Sequence, residues 1–352
     1  MSDSIPYMLL SIDRHQEIDA YLHDRNWLEP DESIRRLGRA GGGNMNLTLR
    51  VDTGQRSFIV KQSRPWVEKY PAIPAPENRV LMEAAFYRAV ASSARIADQM
   101  PRLLDCDEQN FVVLLEDLGE TADFTSIYND GDAAFEPLVE LAQWLAALHG
   151  TDFGALTKER LENLPMRQLN HEHLYRFPLQ AKNGLDLDAI TPGLKRAAAP
   201  LQGDEAYRRA IAELGELYLQ NGPCLLHGDF YPGSWVRSAD DIWVIDPEFC
   251  FFGPAEFDLG ILIGHLLLAD RPLALIETIF AHYRPGSSFR CDLALRFAGM
   301  EIMRRMIGVA QLPIAADLER KEWLLTTARG LVLAPDSLYG VNHGAKEICN
   351  PG

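Results

Sequence analysis

The stretch Arg39-Ala40-Gly41-Gly42-Gly43-Asn44-Met45-Asn46-Leu47-Thr48-Leu49-Arg50-Val51 decides the architecture. From Met45 onward apolar and polar residues alternate. Met45, Leu47, Leu49 and Val51 fall on one side and Asn46, Thr48 and Arg50 on the other, the pattern of a half-buried strand. Asp52-Thr53-Gly54-Gln55 is turn chemistry, and Ser57-Phe58-Ile59-Val60-Lys61 reads as the returning strand. Three glycines therefore stand at the mouth of a β-hairpin. Glycine lets backbone approach a phosphate closely and turn its N–H groups inward. Gly41, Gly42 and Gly43, with Asn44 beside them, are the candidate nucleotide-binding positions.

The order of elements narrows the type of loop. A Walker loop and a dinucleotide fingerprint both run strand, glycines, helix. Here the glycines lead into a hairpin strand, as in the glycine loop that covers phosphates in protein kinases. Lys61 ends the second strand, suitably placed to hold phosphates. Pro65 to Pro76 reads as a loop. Glu77 to Val90 reads as an amphipathic helix carrying Glu83, which would pair with Lys61 and keep it pointing inward. Phe111-Val112-Val113-Leu114-Leu115 is a continuous apolar run and predicts a buried strand. After it, Glu116-Asp117-Leu118-Gly119 is either an acidic turn or, through the backbone of Glu116 and Leu118, a reader of the adenine edge.

Beyond Gly119 the chain changes character, and Phe135 to His149 predicts a helix. His227-Gly228-Asp229-Phe230-Tyr231-Pro232-Gly233-Ser234 follows one apolar run, and Ile245-Asp246-Pro247-Glu248 follows another. Asp229 on a loop would accept a proton from a substrate hydroxyl and orient that oxygen toward a γ-phosphate. Asp246 precedes proline, which favours an extended backbone. Asp246 and Glu248 would then point the same way, toward one cation, with the Ser234 hydroxyl returning to it. A few hard oxygen ligands suit Mg²⁺. His227 reads as a hydrogen-bonded structural residue. His171 and His173 lack a partner cluster and read as a loop or helix face.

These residues resemble the aminoglycoside phosphotransferase and choline kinase superfamily, and Leu145-Ala146-Ala147-Leu148-His149 is similar to its helix ending in Leu-His. Gly233-Ser234, Asp246-Pro247-Glu248-Phe249 with Phe257-Asp258-Leu259-Gly260, and the pair Arg304-Arg305 resemble the methylthioribose kinase family. Phe230, Tyr231 and Pro232 depart from that family's usual loop. The resemblance implies ATP-dependent phosphorylation of the anomeric hydroxyl of a 5-modified ribose, in methionine salvage. It implies nucleotide contact by Lys61, catalysis by Asp229, metal binding by Asp246 and Glu248, and catalytic roles for Arg304 and Arg305. A guanidinium near the transferring group would offset charge on its oxygens. Adjacent helix residues differ by about 100°, so one arginine of the pair is expected to reach the site. A homodimer is also what the resemblance implies. Two rivals stand beside this reading: a phosphotransferase for an aminoglycoside, choline or another small alcohol, and a nucleotide-binding pseudokinase.

Length and composition frame the expectation. At 352 residues, about two domains are expected: residues 1–118 as a small β-rich nucleotide-binding lobe and 119–352 as a larger, mainly α-helical lobe. That is an α+β, bilobal protein-kinase-like fold using ATP and Mg²⁺. A net charge of −16 argues against a nucleic-acid or membrane partner, since both need a basic face. No apolar run is long enough to span a bilayer, and Met1 to Gln16 lacks the pattern of a secretion signal. Five widely spaced cysteines without a C-x-x-C read as bystanders in a reducing cytoplasm.

Overall fold

Strand alternation builds the first part of the chain. In a computed structural model, which describes residues 7–129, 136–239, 241–283 and 289–335, the chain divides into two units. The first is Met1–Thr121 with Trp243–Phe249, and the second is Ala122–Ile242 with Cys250–Gly352. The first unit holds an antiparallel five-stranded sheet in the order Arg36–Arg39, Leu47–Asp52, Ser57–Gln62, Val112–Glu116, Leu103–Asp107. Leu47, Leu49 and Val51 are buried, packing with Ile18, Leu22 and Trp27. Val112–Glu116 is an interior strand with its first four residues buried on both faces, as its unbroken apolar run requires.

Three details differ from the sequence reading. A strand precedes the glycines, with Arg39 opposite Leu49, so the glycine loop joins two antiparallel strands. Arg36-Leu37-Gly38-Arg39 is too short and too polar to announce itself. The segment read as a loop from Pro65 to Pro76 contains a ribbon, Trp66–Val67 paired with Tyr70–Pro74. It holds the end of the glycine loop through Glu68 N–H to Met45 O (3.2 Å) and Lys69 N–H to Asn44 O (3.0 Å). Asn46, expected on the polar face, is buried.

The second unit is mainly helical. The helix Glu256–Leu268 is buried at every position, its polar Glu256, Asp258 and His265 included. It crosses the helix Cys291–Ile307 at Gly260, where an added Cβ would lie 2.4 Å from Phe297 Cβ, so glycine permits that close approach. The short strand Cys224–Leu226 pairs antiparallel with Phe251–Gly253 and delivers the chain into His227. The helix Glu136–Gly150 buries Leu138, Leu141, Trp144, Leu145 and Leu148; Phe135, expected to start it, lies outside the described residues. Trp144 stacks on Phe230 at 5.6 Å with rings nearly parallel.

Cys106, Cys224 and Cys250 form no disulfide, but Cys291 is disulfide-bonded, which corrects the reading of every cysteine as a bystander. Wide spacing along a chain does not set distance in the fold. Cys349 lies outside the described residues. Among the described residues, no helix is long and apolar enough to cross a membrane.

Candidate active site

In the first unit Lys61 is the centre of a charge cluster. Strand alternation puts its side chain on the sheet face covered by the helix Arg79–Val90. Its Nζ lies 2.6 Å from Glu83 Oε2 and 2.7 Å from Asp246 Oδ1. Burial alone would lower the ammonium's pKa, but Asp246, Glu83 and Glu248 outweigh it and hold the pKa above the ordinary lysine value. Burial pushes the Glu83 carboxyl up to about 8, with Asp246 and Glu248 adding to the effect and Lys61 opposing it. Asp246 is the open member of the cluster, its side chain 41% exposed.

Asp246 is not extended. Its φ is +62°, in the left-handed region that aspartate tolerates better than most residues, and Pro247–Phe249 is a 3₁₀ turn. The expected i, i+2 alignment of two carboxylates on an extended chain is therefore corrected. Glu248 is instead buried, accepting from Asn46 Nδ2 (2.8 Å) and lying 3.6 Å from Arg79 Nε. Three carboxyl groups (Glu83, Asp246, Glu248) face two cations (Lys61, Arg79), and Asp246 is the one left partly open to solvent; among the described residues no three metal-ligating side chains converge.

Gly41, Gly42, Gly43 and Asn44 are exposed in the bend between strands, and Gly41 takes φ +68°. A Cβ at any of the three glycines would meet nothing, so neighbouring bulk does not require glycine there. Glu116 donates its N–H to Arg102 O and holds the Arg102 side chain, while Leu118 is half-buried. Arg50 pins the turn that follows, lying 2.9 Å from Asp117.

In the second unit the His227-Gly228-Asp229 loop is organised by a buried carboxylate. Asp258 accepts the His227 N–H (2.7 Å) and the Gly228 N–H (3.0 Å), and also meets His149 Nε2 (3.1 Å). Gly228 needs φ +87°, a glycine conformation. His227 is buried, and its Nδ1 accepts from the Asp229 N–H at 3.4 Å. Ser234 donates its hydroxyl to Asp229 O (2.8 Å).

Asp229 leaves its carboxylate partly open and paired with both arginines. Arg304 Nη2 lies 3.2 Å and Arg305 Nη2 3.7 Å from Asp229 Oδ1. The expectation that one arginine reaches the site is corrected, because Glu301, one turn earlier, holds both side chains together. Arg305 also stacks over the Tyr231 ring at 4.8 Å. Sequence reasoning missed Asp258 as the loop's organiser, and Glu301, His265 and Tyr128 altogether. His171 ends the helix Leu164–His171, and His173 lies in the following π-helical turn with its ring 5.8 Å from Phe177.

Known proteins resemble this chain in both sequence and fold. The profile of a phosphotransferase enzyme family matches residues 36–293, well over half the chain. A methylthioribose kinase of Exiguobacterium sibiricum is 26% identical over 342 residues, covering 82% of this chain and 85% of its own. One from a Geobacillus species is 26% identical over 363 residues, covering 88% and 89%. Among solved structures, a spectinomycin phosphotransferase in complex with ADP and spectinomycin aligns with TM-score 0.55 at 13% identity, covering 91% of this chain and 97% of that one. A choline/ethanolamine kinase family protein from Mesorhizobium loti aligns with TM-score 0.53 at 15% identity, covering 96% and 99%. The fold is the α+β, protein-kinase-like fold of these enzymes, with a sheet-rich N-terminal part and a helical C-terminal part. The chain belongs to the phosphotransferase enzyme family.

Proposed function

We propose that this protein is a small-molecule kinase that transfers the γ-phosphate of ATP to the anomeric hydroxyl of a 5-modified ribose such as 5-methylthioribose. The observation that carries this reading is the pairing of Asp229 with both Arg304 and Arg305, in a chain similar to methylthioribose kinases over more than four-fifths of its length.

Each residue has a role in this reading. Gly41, Gly42, Gly43 and Asn44 cover the phosphates, Lys61 binds them, and Glu83 keeps the Lys61 side chain turned inward. The backbone of Glu116 and Leu118 meets the adenine. Asp246 and Glu248 would supply carboxylate oxygens to Mg²⁺, which supplies charge neutralisation at the phosphate oxygens. Asp229 accepts the proton of the acceptor hydroxyl and orients its oxygen for in-line attack. Arg304 and Arg305 offset the charge that develops on the transferring group. His227 supports the loop.

The test is a phosphorylation screen across 5-modified riboses, with spectinomycin, aminoglycosides and choline as comparators. Turnover confined to the riboses supports the proposal. Turnover confined to an aminoglycoside or choline replaces the acceptor. ATP binding without turnover on any acceptor turns the reading toward a pseudokinase.

A further inference from the structure

Behind Asp229 and its arginines lies a chain of buried polar side chains that the phosphoryl-transfer reading leaves unassigned. Glu301 is fully buried on the helix Cys291–Ile307, three and four residues before the two arginines. Positions three and four apart share a helix face. Its oxygens are divided between them: Oε2 accepts from Arg304 Nε, and Oε1 accepts from Arg305 Nε at 2.8 Å. His265, on the helix Glu256–Leu268, places Nε2 2.8 Å from Glu301 Oε1 and Nδ1 2.6 Å from the Tyr128 hydroxyl.

The proton positions follow from the partners. A carboxylate only accepts, so His265 Nε2 carries the hydrogen, and Nδ1 accepts from the Tyr128 hydroxyl. Burial drives the His265 pKa down to about 4, so the ring is neutral near pH 7. Burial works against the charged form of Glu301, but Arg304 and Arg305 outweigh it and hold the carboxyl well below its usual range. Two guanidiniums and one Glu301 carboxylate leave a single positive charge opposite the single negative charge of Asp229. A cationic His265 would upset that balance.

We propose that Glu301 is a positioning residue for phosphoryl transfer: by taking the Nε edge of both Arg304 and Arg305 it turns their Nη2 groups together onto Asp229, and the Tyr128–His265 pair fixes Glu301 in turn. The inference rests on the kinase reading given above. The arginine pair is then one device, aimed by a residue that touches neither substrate.

Glu301→Gln tests this. It keeps the volume but removes the charge and one of the two acceptors. On folded protein, kcat should fall about 10- to 100-fold while KM for ATP stays within about twofold. Glu301→Asp, which keeps the charge on a shorter arm, should recover part of that loss. Wild-type kcat in folded Glu301→Gln overturns the proposal, as does a loss that Glu301→Asp leaves unrecovered. If Glu301→Gln does not fold, Tyr128→Phe takes its place: lower kcat with unchanged ATP KM supports the chain, and wild-type kcat overturns it. Arginine Nε–H resonances observed by NMR need no substrate. Two slowly exchanging signals lost together in Glu301→Gln, or in Tyr128→Phe if that variant is used, support the clamp, and their retention overturns it. If wild-type protein phosphorylates no acceptor, the kinase reading fails separately while the NMR result still decides the clamp.

Discussion

Lys61 Nζ and Glu83 Oε2 stand 2.6 Å apart with both side chains out of water. Lys61 also meets Asp246, so one ammonium serves both side chains. Lys61→Met leaves Glu83, Asp246 and Glu248 with Arg79 alone, and should cost about 3–5 kcal/mol of stability. Glu83→Gln should cost less, because Lys61 keeps Asp246. Urea unfolding of the two variants checks the order, and the reverse order would count against this account of the cluster.

Asp229→Ala should retain nucleotide binding and lose turnover by about 10²- to 10⁴-fold, the usual scale of a positioned proton acceptor. Calorimetric titration with a non-hydrolysable ATP analogue, beside a turnover assay, separates the two effects. Retained full activity would end the assignment.

The Asp258 carboxylate accepts two loop N–H groups at once. In Asp258→Asn the amide turns an N–H₂ toward one of those donors, which should cost about 1–3 kcal/mol. Gly228→Ala forces a Cβ onto a φ of +87° and should cost about 1–2 kcal/mol. Thermal melts measure both, and an unshifted midpoint for either variant contradicts the geometry.

His265 gives stability a pH signature. Its folded pKa of about 4 lies below the ordinary histidine value of 6.5. Between those values the unfolded chain binds the proton more readily than the folded one. This contribution is therefore fully present above pH 6.5 and is lost as pH falls toward 4, to a total of about 3 kcal/mol. His265→Gln should flatten that part of the stability profile. An unchanged slope between pH 6.5 and 4 would show that the imidazole is not the group responsible.

How much was legible depended on whether a signal was local. The alternation of Leu47, Leu49 and Val51 and the apolar run at Val112–Leu115 state their burial directly. Lys61 at a strand end and Glu83 on the following helix state their pairing almost as plainly. Asn46 did not, because its burial depends on Glu248, 202 positions away. The left-handed backbone at Asp246 overrode the expectation drawn from the following proline. The reach of both arginines depended on a glutamate one turn earlier, whose neighbours gave no reason to single it out. Tyr128, His265 and Glu301 come from three separate stretches of chain, so no window of sequence holds them together.

The first unit closes only with Trp243–Phe249, more than a hundred residues after its main segment ends at Thr121. On the ribosome, Lys61 and Glu83 therefore emerge long before Asp246 and Glu248 are synthesised. Until then the nascent chain carries an unfinished charge cluster, and a fragment expressed to residue 121 would carry the same deficit permanently. Domain-by-domain folding during translation cannot finish here in simple order from the N-terminus.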